Sequence, residues 1–229
     1  MVRLLLALLI AFVVLNLAGV IAMSVNKGMQ LTPDQQWIIP VVMQSGLLIF
    51  AFILIVVFSK GELGSHGFAK PTKFKIMPLV ILSLVVGSVA AVILAFLPGS
   101  QHPLEKMFSP LQVIVFVWIY APICEEVLFR GLLQTFLSPL AHRGFIVGQR
   151  RISIPVIAAA VLFGLMHLSL LQAGMSLLPV IVIVVFGFVL GIFAGYYREQ
   201  TSSLLPAILV HSLFNISGTI VGWLTPAAS

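Results

Sequence analysis

The sequence predicts an all-α protein: a polytopic transmembrane helix bundle of about seven spans, or eight if a loop hides a further short helix, around an intramembrane cavity. Three observations predict it. Of 229 residues, 61% are hydrophobic and only 8% are charged, whereas soluble domains carry about a quarter charged residues. The mean hydropathy is +1.20. Apolar runs of about 20 residues, the length that crosses a hydrocarbon core of about 30 Å, recur along the whole chain. Disorder, a coiled coil and an ordinary cytosolic enzyme are thereby excluded.

The spans lie near 4–25, 37–58, 76–97, 110–137, 153–172, 176–197 and 202–223. The first has Arg3 ahead of its apolar stretch and small residues at Gly19 and Ala22, like a signal peptide, but its length suits a retained helix. The longest polar stretch, Ser59 to Lys75, carries Gly61, Gly64, Gly67 and Pro71 and reads as a loop. This loop and the one near 98–109 are where an extra element would hide. The fourth span contains Pro122 and the seventh Pro206, each loosening a turn where a wet cavity would satisfy the freed carbonyl. The sixth span carries Gly187, Gly191 and Gly195 on one stripe, which suits close helix contact. No repeat or linker divides the chain, so a single integral membrane domain over 1–229 is expected, its working core at approximately 110–223.

The net charge of +6 does not mark a nucleic-acid binder, because the cations sit in short loops rather than on one face. Counted by alternate loops, Arg3, Lys60, Lys70, Lys73, Lys75, Arg143, Arg150, Arg151 and Arg198 fall on one side, against Lys27 and Lys106 on the other. This asymmetry predicts a multi-pass protein of the plasma (cell inner) membrane with a cytoplasmic N-terminus and, for seven spans, an external C-terminus. The lone cysteine, Cys124, excludes an intrachain disulfide; a thiol nucleophile is open to it, but it points about 100° away from Glu125 and reads as a packing residue.

Charge inside the spans is the informative part. Asp34, Glu62, Glu105 and Glu199 fall in predicted loops, but Glu125, Glu126 and Arg130 lie within the fourth span, where an ionised side chain costs about 2.5–3.5 kcal/mol on insertion scales. Residues four apart share a helix face, so Glu126 and Arg130 are expected to pair, leaving Glu125 about 100° away with free lone pairs. His66, His102 and His142 fall in loops and read as surface residues. His167 and His211 are inside the fifth and seventh spans, with Phe163 four residues before the one and Asn215 four residues after the other. Taken from the cytoplasmic helix ends at about 1.5 Å per residue, Glu125, His167 and His211 lie roughly 18, 21 and 13 Å deep.

A carboxylate, two imidazoles and an amide at one depth suit the addition of water to a carbonyl. Glu125 would take the proton of the water, His167 would orient it or return a proton to a leaving amine, and His211 with Asn215 would hold the oxyanion. The residues leave three other readings open. One is a structural ion-pair cluster; another is a zinc site on Glu125, His167 and His211, although no HExxH is present. The third is a transporter or a binding protein that sequesters a membrane peptide.

The ordered motifs Glu125-Glu126-x-x-x-Arg130, Phe163-x-x-x-His167 and His211-x-x-x-Asn215 resemble the CPBP intramembrane protease family. That family includes CAAX prenyl endopeptidases and proteins of bacteriocin processing and self-immunity. The resemblance covers the fourth to seventh spans. It implies a helical glutamate-dependent endopeptidase without a cofactor, acting on a membrane-associated peptide or protein from within the lipid bilayer. It makes Glu125 the water-activating residue, His167 its partner and His211 with Asn215 the oxyanion pair, with Glu126, Arg130 and Phe163 in support. Oligomeric state is left open.

Overall fold

The computed structural model describes residues 1–100 and 107–225; the sequence assignments of His102, Glu105 and Lys106 to a loop lie outside the described residues. Seven helices in it are long and apolar enough to cross a membrane. They are α1 (Val2–Met29), α2 (Ile38–Ser59), α3 (Ile76–Ala95), α4 (Pro110–Gln134), α5 (Ile154–Met166, continued by a 3₁₀ turn His167–Leu171), α6 (Leu177–Thr201) and α7 (Leu204–Leu224). The predicted bundle and its boundaries are borne out to within a few residues, because bilayer thickness sets the length of each apolar run.

Local chemistry starts and stops the helices. Ser109 and Gln112 form a reciprocal capping box at the start of α4, Ser153 caps α5 by accepting from the Val156 amide, and Ser203 caps α7 by accepting from the Leu205 amide. Helices α1, α2 and α6 end on left-handed Gln30, Lys60 and Ser202. Along α1 the buried residues are Ala7, Ala11, Val14, Ala18 and Ala22, one stripe of small side chains on which α2 lies; Gly46 of α2 faces Ala18 so closely that a Cβ would stand 3.0 Å from that alanine's own.

Between α4 and α5 lies a feature that hydropathy does not reveal, an antiparallel hairpin of β1 (Gly144–Val147) and β2 (Arg150–Ser153). Arg198, assigned to a loop by its sequence position, belongs to the last turn of α6 and is buried, donating to the Ser65 carbonyl at 2.9 Å and the Thr135 hydroxyl at 3.3 Å. It ties the segment after α2 to the end of α4. His66, read as a surface residue, is buried there too; burial and the neighbouring guanidinium push its pKa down.

Helix α4 is exposed at Leu111, Ile114, Val115 and Ile119 in its first half and enclosed in its second. It alternates between regular and wide turns: Val113–Tyr120 and Val127–Gln134 are π-helical, and Ala121–Glu126 between them is α-helical. All eight residues of Val127–Gln134 are buried, so this stretch meets protein on every side. Around it, α5 and α6 approach through glycine. A Cβ on Gly164 would stand 2.7 Å from the Val184 carbonyl oxygen, and one on Gly191 would stand 2.7 Å from the Ala160 Cα. Gly164→Ala is expected to force α5 and α6 apart and destabilise the fold by about 1–3 kcal/mol, read by unfolding in detergent, whereas Gly222→Ala, with open space around its Cβ, should leave stability unchanged.

Candidate functional site

Three helices deliver the intramembrane polar residues to one place. Glu126 Oε1 accepts from Arg130 Nη1 at 3.0 Å, one turn on along α4, and from His211 Nδ1 of α7 at 2.9 Å. Arg130 is fully buried; its Nη2 donates to the Gly191 carbonyl of α6 at 3.2 Å, and its guanidinium lies 4.7 Å from the centre of the Phe163 ring. Phe163 of α5 is the hub of the aromatic packing. Phe129, His167 and His211 meet it edge-on, with ring centres 5.2, 5.4 and 5.3 Å away.

Glu125 is handled differently from its neighbour. Its Oε1 accepts from Gln44 Nε2 of α2 at 2.6 Å, and its Oε2 lies 3.8 Å from His211 Nε2. Consecutive on an α-helical stretch, the two residues leave the helix about 100° apart, yet both carboxylates approach one imidazole, from its two nitrogens. Because the Glu126 carboxylate can only accept, His211 Nδ1 carries the proton of that bond, which leaves Nε2 for chemistry.

His167 closes α5, its Nδ1–H donating to the Phe163 carbonyl at 3.0 Å, so its Nε2 is also uncommitted. Gly187 packs against this ring, where a Cβ would stand at ordinary contact distance, 3.5 Å from Nδ1. The glycine stripe of α6 thus serves helix packing and the site together, touching His167 through Gly187 and Arg130 through the Gly191 carbonyl.

Asn215 gives one amide N–H to the Val117 carbonyl at 2.9 Å. The reason lies in α4. The Ala121 amide bonds back to the Phe116 carbonyl in the wide register, and the next residue, Pro122, has no N–H, so Val117 is left without an intrahelical donor. Asn215 supplies that donor and keeps a second N–H.

A cavity of about 90 Å³ opens beside these residues, walled by Phe163, His167, His211 and Asn215 on its polar side and by residues of α3, α6 and α7 such as Leu94 and Phe186 on the other. Such a volume admits several waters. Glu125 is not part of the wall; it stands behind His211 and is 7% exposed. Among the described residues no three His, Cys, Asp or Glu side chains gather as a metal-ligand group, and His211 Nδ1 is engaged by Glu126.

Gln44 escaped sequence analysis, which weighed ionisable groups. Its only signal was a long polar side chain in a largely apolar span. Cys124 is buried next to the site residues, beside Tyr120, whose hydroxyl shares a 2.7 Å hydrogen bond with Ser45.

Compared with known protein families, residues 107–217 match the model of the Rce1-like type II CAAX prenyl endopeptidases. The match bears out the resemblance stated from the motifs and holds all three of them, from Glu125 to Asn215. No curated protein and no solved structure gives a match.

Proposed function

We propose, taking as premise the likeness of residues 107–217 to CAAX prenyl endopeptidases, that the chain is an intramembrane endopeptidase that hydrolyses a membrane-associated polypeptide with water activated by Glu125. The observation that carries this reading is the unequal treatment of two adjacent carboxylates. Glu126 is locked between Arg130 and His211, while Glu125 is fixed at one oxygen by Gln44 and keeps the other free. A structural ion-pair cluster would need only the first.

In this reading Glu125 Oε2 accepts a proton as the water oxygen bonds to the scissile carbonyl carbon. The developing oxyanion is met by His211, on the Nε2 side of its ring, and by the second amide N–H of Asn215. The C–N bond then breaks, and the proton held by Glu125 passes to the leaving amine by way of His167 Nε2. Glu126 fixes the His211 ring, Arg130 balances Glu126, and Phe163 holds both imidazoles edge-on. No metal takes part, so cleavage should persist undiminished in a strong chelator. Loss of activity restored by zinc would overturn that point. The chain sits in the plasma membrane with its N-terminus in the cytoplasm, which terminal reporter fusions check.

The deciding experiment is mass spectrometry of membrane peptides from cells carrying wild type or Glu125→Gln. Fragments present only with wild type support a protease and identify its substrate, and synthetic versions with and without an isoprenyl group define the substrate class. Identical peptide sets alongside an intact phenotype in Glu125→Gln would replace this reading with a non-catalytic binding, immunity or transport protein.

Gln44 is then a positioning residue. Gln44→Leu removes the bond that orients Glu125 and should lower kcat by about 10–100-fold with KM little changed, as measured by steady-state cleavage of the identified peptide. An equal loss in KM would assign Gln44 to substrate binding instead.

A further inference from the structure

The hairpin between α4 and α5 is built against the pattern of a water-exposed one. Phe145, Ile146 and Val147 of β1 are 65%, 74% and 67% exposed. Register pairs Phe145 with Ile152, Ile146 with Arg151 and Val147 with Arg150, so Phe145 and Val147 occupy one face and Ile146 the other. Strand β1 is therefore apolar on both faces, while β2 carries Arg150 on one face and Arg151 on the other. A hairpin half-covered by a core divides its polarity face by face; this one divides it strand by strand. The turn between them is Gly148-Gln149, with Gly148 at a φ of +62° in the first central position that suits a two-residue hairpin.

The level of the hairpin follows from one contact. Arg150, just past the turn, lies over the Tyr196 ring at 5.4 Å, and Tyr196 is five residues before the end of α6 at Thr201, about 7.5 Å back along the helix. The turn therefore folds back alongside the bundle. At its base the Ile154 amide donates to the Arg143 carbonyl and the Ser153 hydroxyl to Glu199. Among the described residues no carboxylate lies within ion-pair distance of Arg143, Arg150 or Arg151.

We propose that the hairpin is an interfacial anchor, with β1 sunk into the headgroup zone of the leaflet on its side and Arg143, Arg150 and Arg151 holding the phosphates of anionic lipids. Strand-wise segregation gives β1 the depth and β2 the phosphate level, and three unpaired cations supply charge complementary to an anionic surface. The side with more Lys and Arg is the cytoplasmic one in the orientation proposed above, where anionic lipid is expected.

The test reconstitutes the full chain, with Cys124→Ser to remove background labelling, and places an environment-sensitive fluorophore at Phe145→Cys. Vesicles of phosphatidylcholine alone are compared with vesicles containing phosphatidylglycerol in both leaflets, which makes the result independent of orientation. In anionic vesicles the emission is expected to shift to the blue and to be quenched by a shallow nitroxide lipid; the added substitutions Arg143→Gln, Arg150→Gln and Arg151→Gln should abolish both effects. Val147→Cys gives the same reading should Phe145→Cys not fold. A water-like emission in both vesicles overturns the proposal. So does an apolar emission that lipid nitroxide leaves unquenched, since the hairpin would then dock on protein, either a substrate strand or a second copy. Equal quenching in both vesicles overturns the anionic-lipid assignment.

Discussion

Glu125→Gln is expected to lose about 10²–10⁴-fold in peptide cleavage while the protein still folds and inserts. The amide keeps a carbonyl oxygen to accept from Gln44 Nε2, so the tie between α2 and α4 survives. What disappears is a lone pair basic enough to take a proton from water. The same substitution one residue along serves as its control. Glu126→Gln withdraws the counter-charge of a fully buried Arg130 and the acceptor that orients His211, so its first consequence is lost stability. Wild-type cleavage by purified, folded Glu125→Gln would end the assignment of a general base to this residue.

The second large effect is expected in Arg130→Met. Glu126 and Arg130 are both fully buried, and removing one partner of a buried pair strands the other, at a cost of about 3–5 kcal/mol. Reversible unfolding in detergent should show that loss in Arg130→Met and again in Glu126→Gln. The double variant is expected to recover a good part of it, since neither orphaned charge remains. Its activity should stay low, because His211 loses the carboxylate that holds its tautomer. A double variant whose losses simply add would show that the two side chains are not coupled.

The spans could be read from the sequence because a bilayer demands long apolar runs and tolerates few exceptions. That scarcity also exposed Glu125, Glu126, Arg130, His167 and His211, which stand out against their surroundings. The relations among them were less accessible. An ordinary helical step separates Glu125 from Glu126, yet both side chains reach His211 on another helix. Local pattern does not report such a meeting, because it depends on how one helix packs against another. Asn215 shows the same limit: its partner is a carbonyl orphaned by a proline and a register change on another helix. Gln44 carries no charge and comes from a span without a motif. The exposed apolar strand Phe145–Val147 is too short to register as a hydropathy feature.

The complete burial of Val127–Gln134 bears on how the chain is made. An apolar helix without ionisable residues can be held by partitioning alone. Helix α4 brings Glu125, Glu126 and Arg130 into the membrane, and on insertion scales three such residues cost about as much as its apolar side chains return. Its residence there is consequently a tertiary property: Gln44 of α2 is synthesised before it, whereas Gly191 of α6 and His211 of α7 emerge after it. Until those helices arrive, the span that carries the chemistry is the one least secured by the bilayer, and chains that stall or lose α7 should be cleared as unassembled membrane protein rather than accumulate as inactive enzyme.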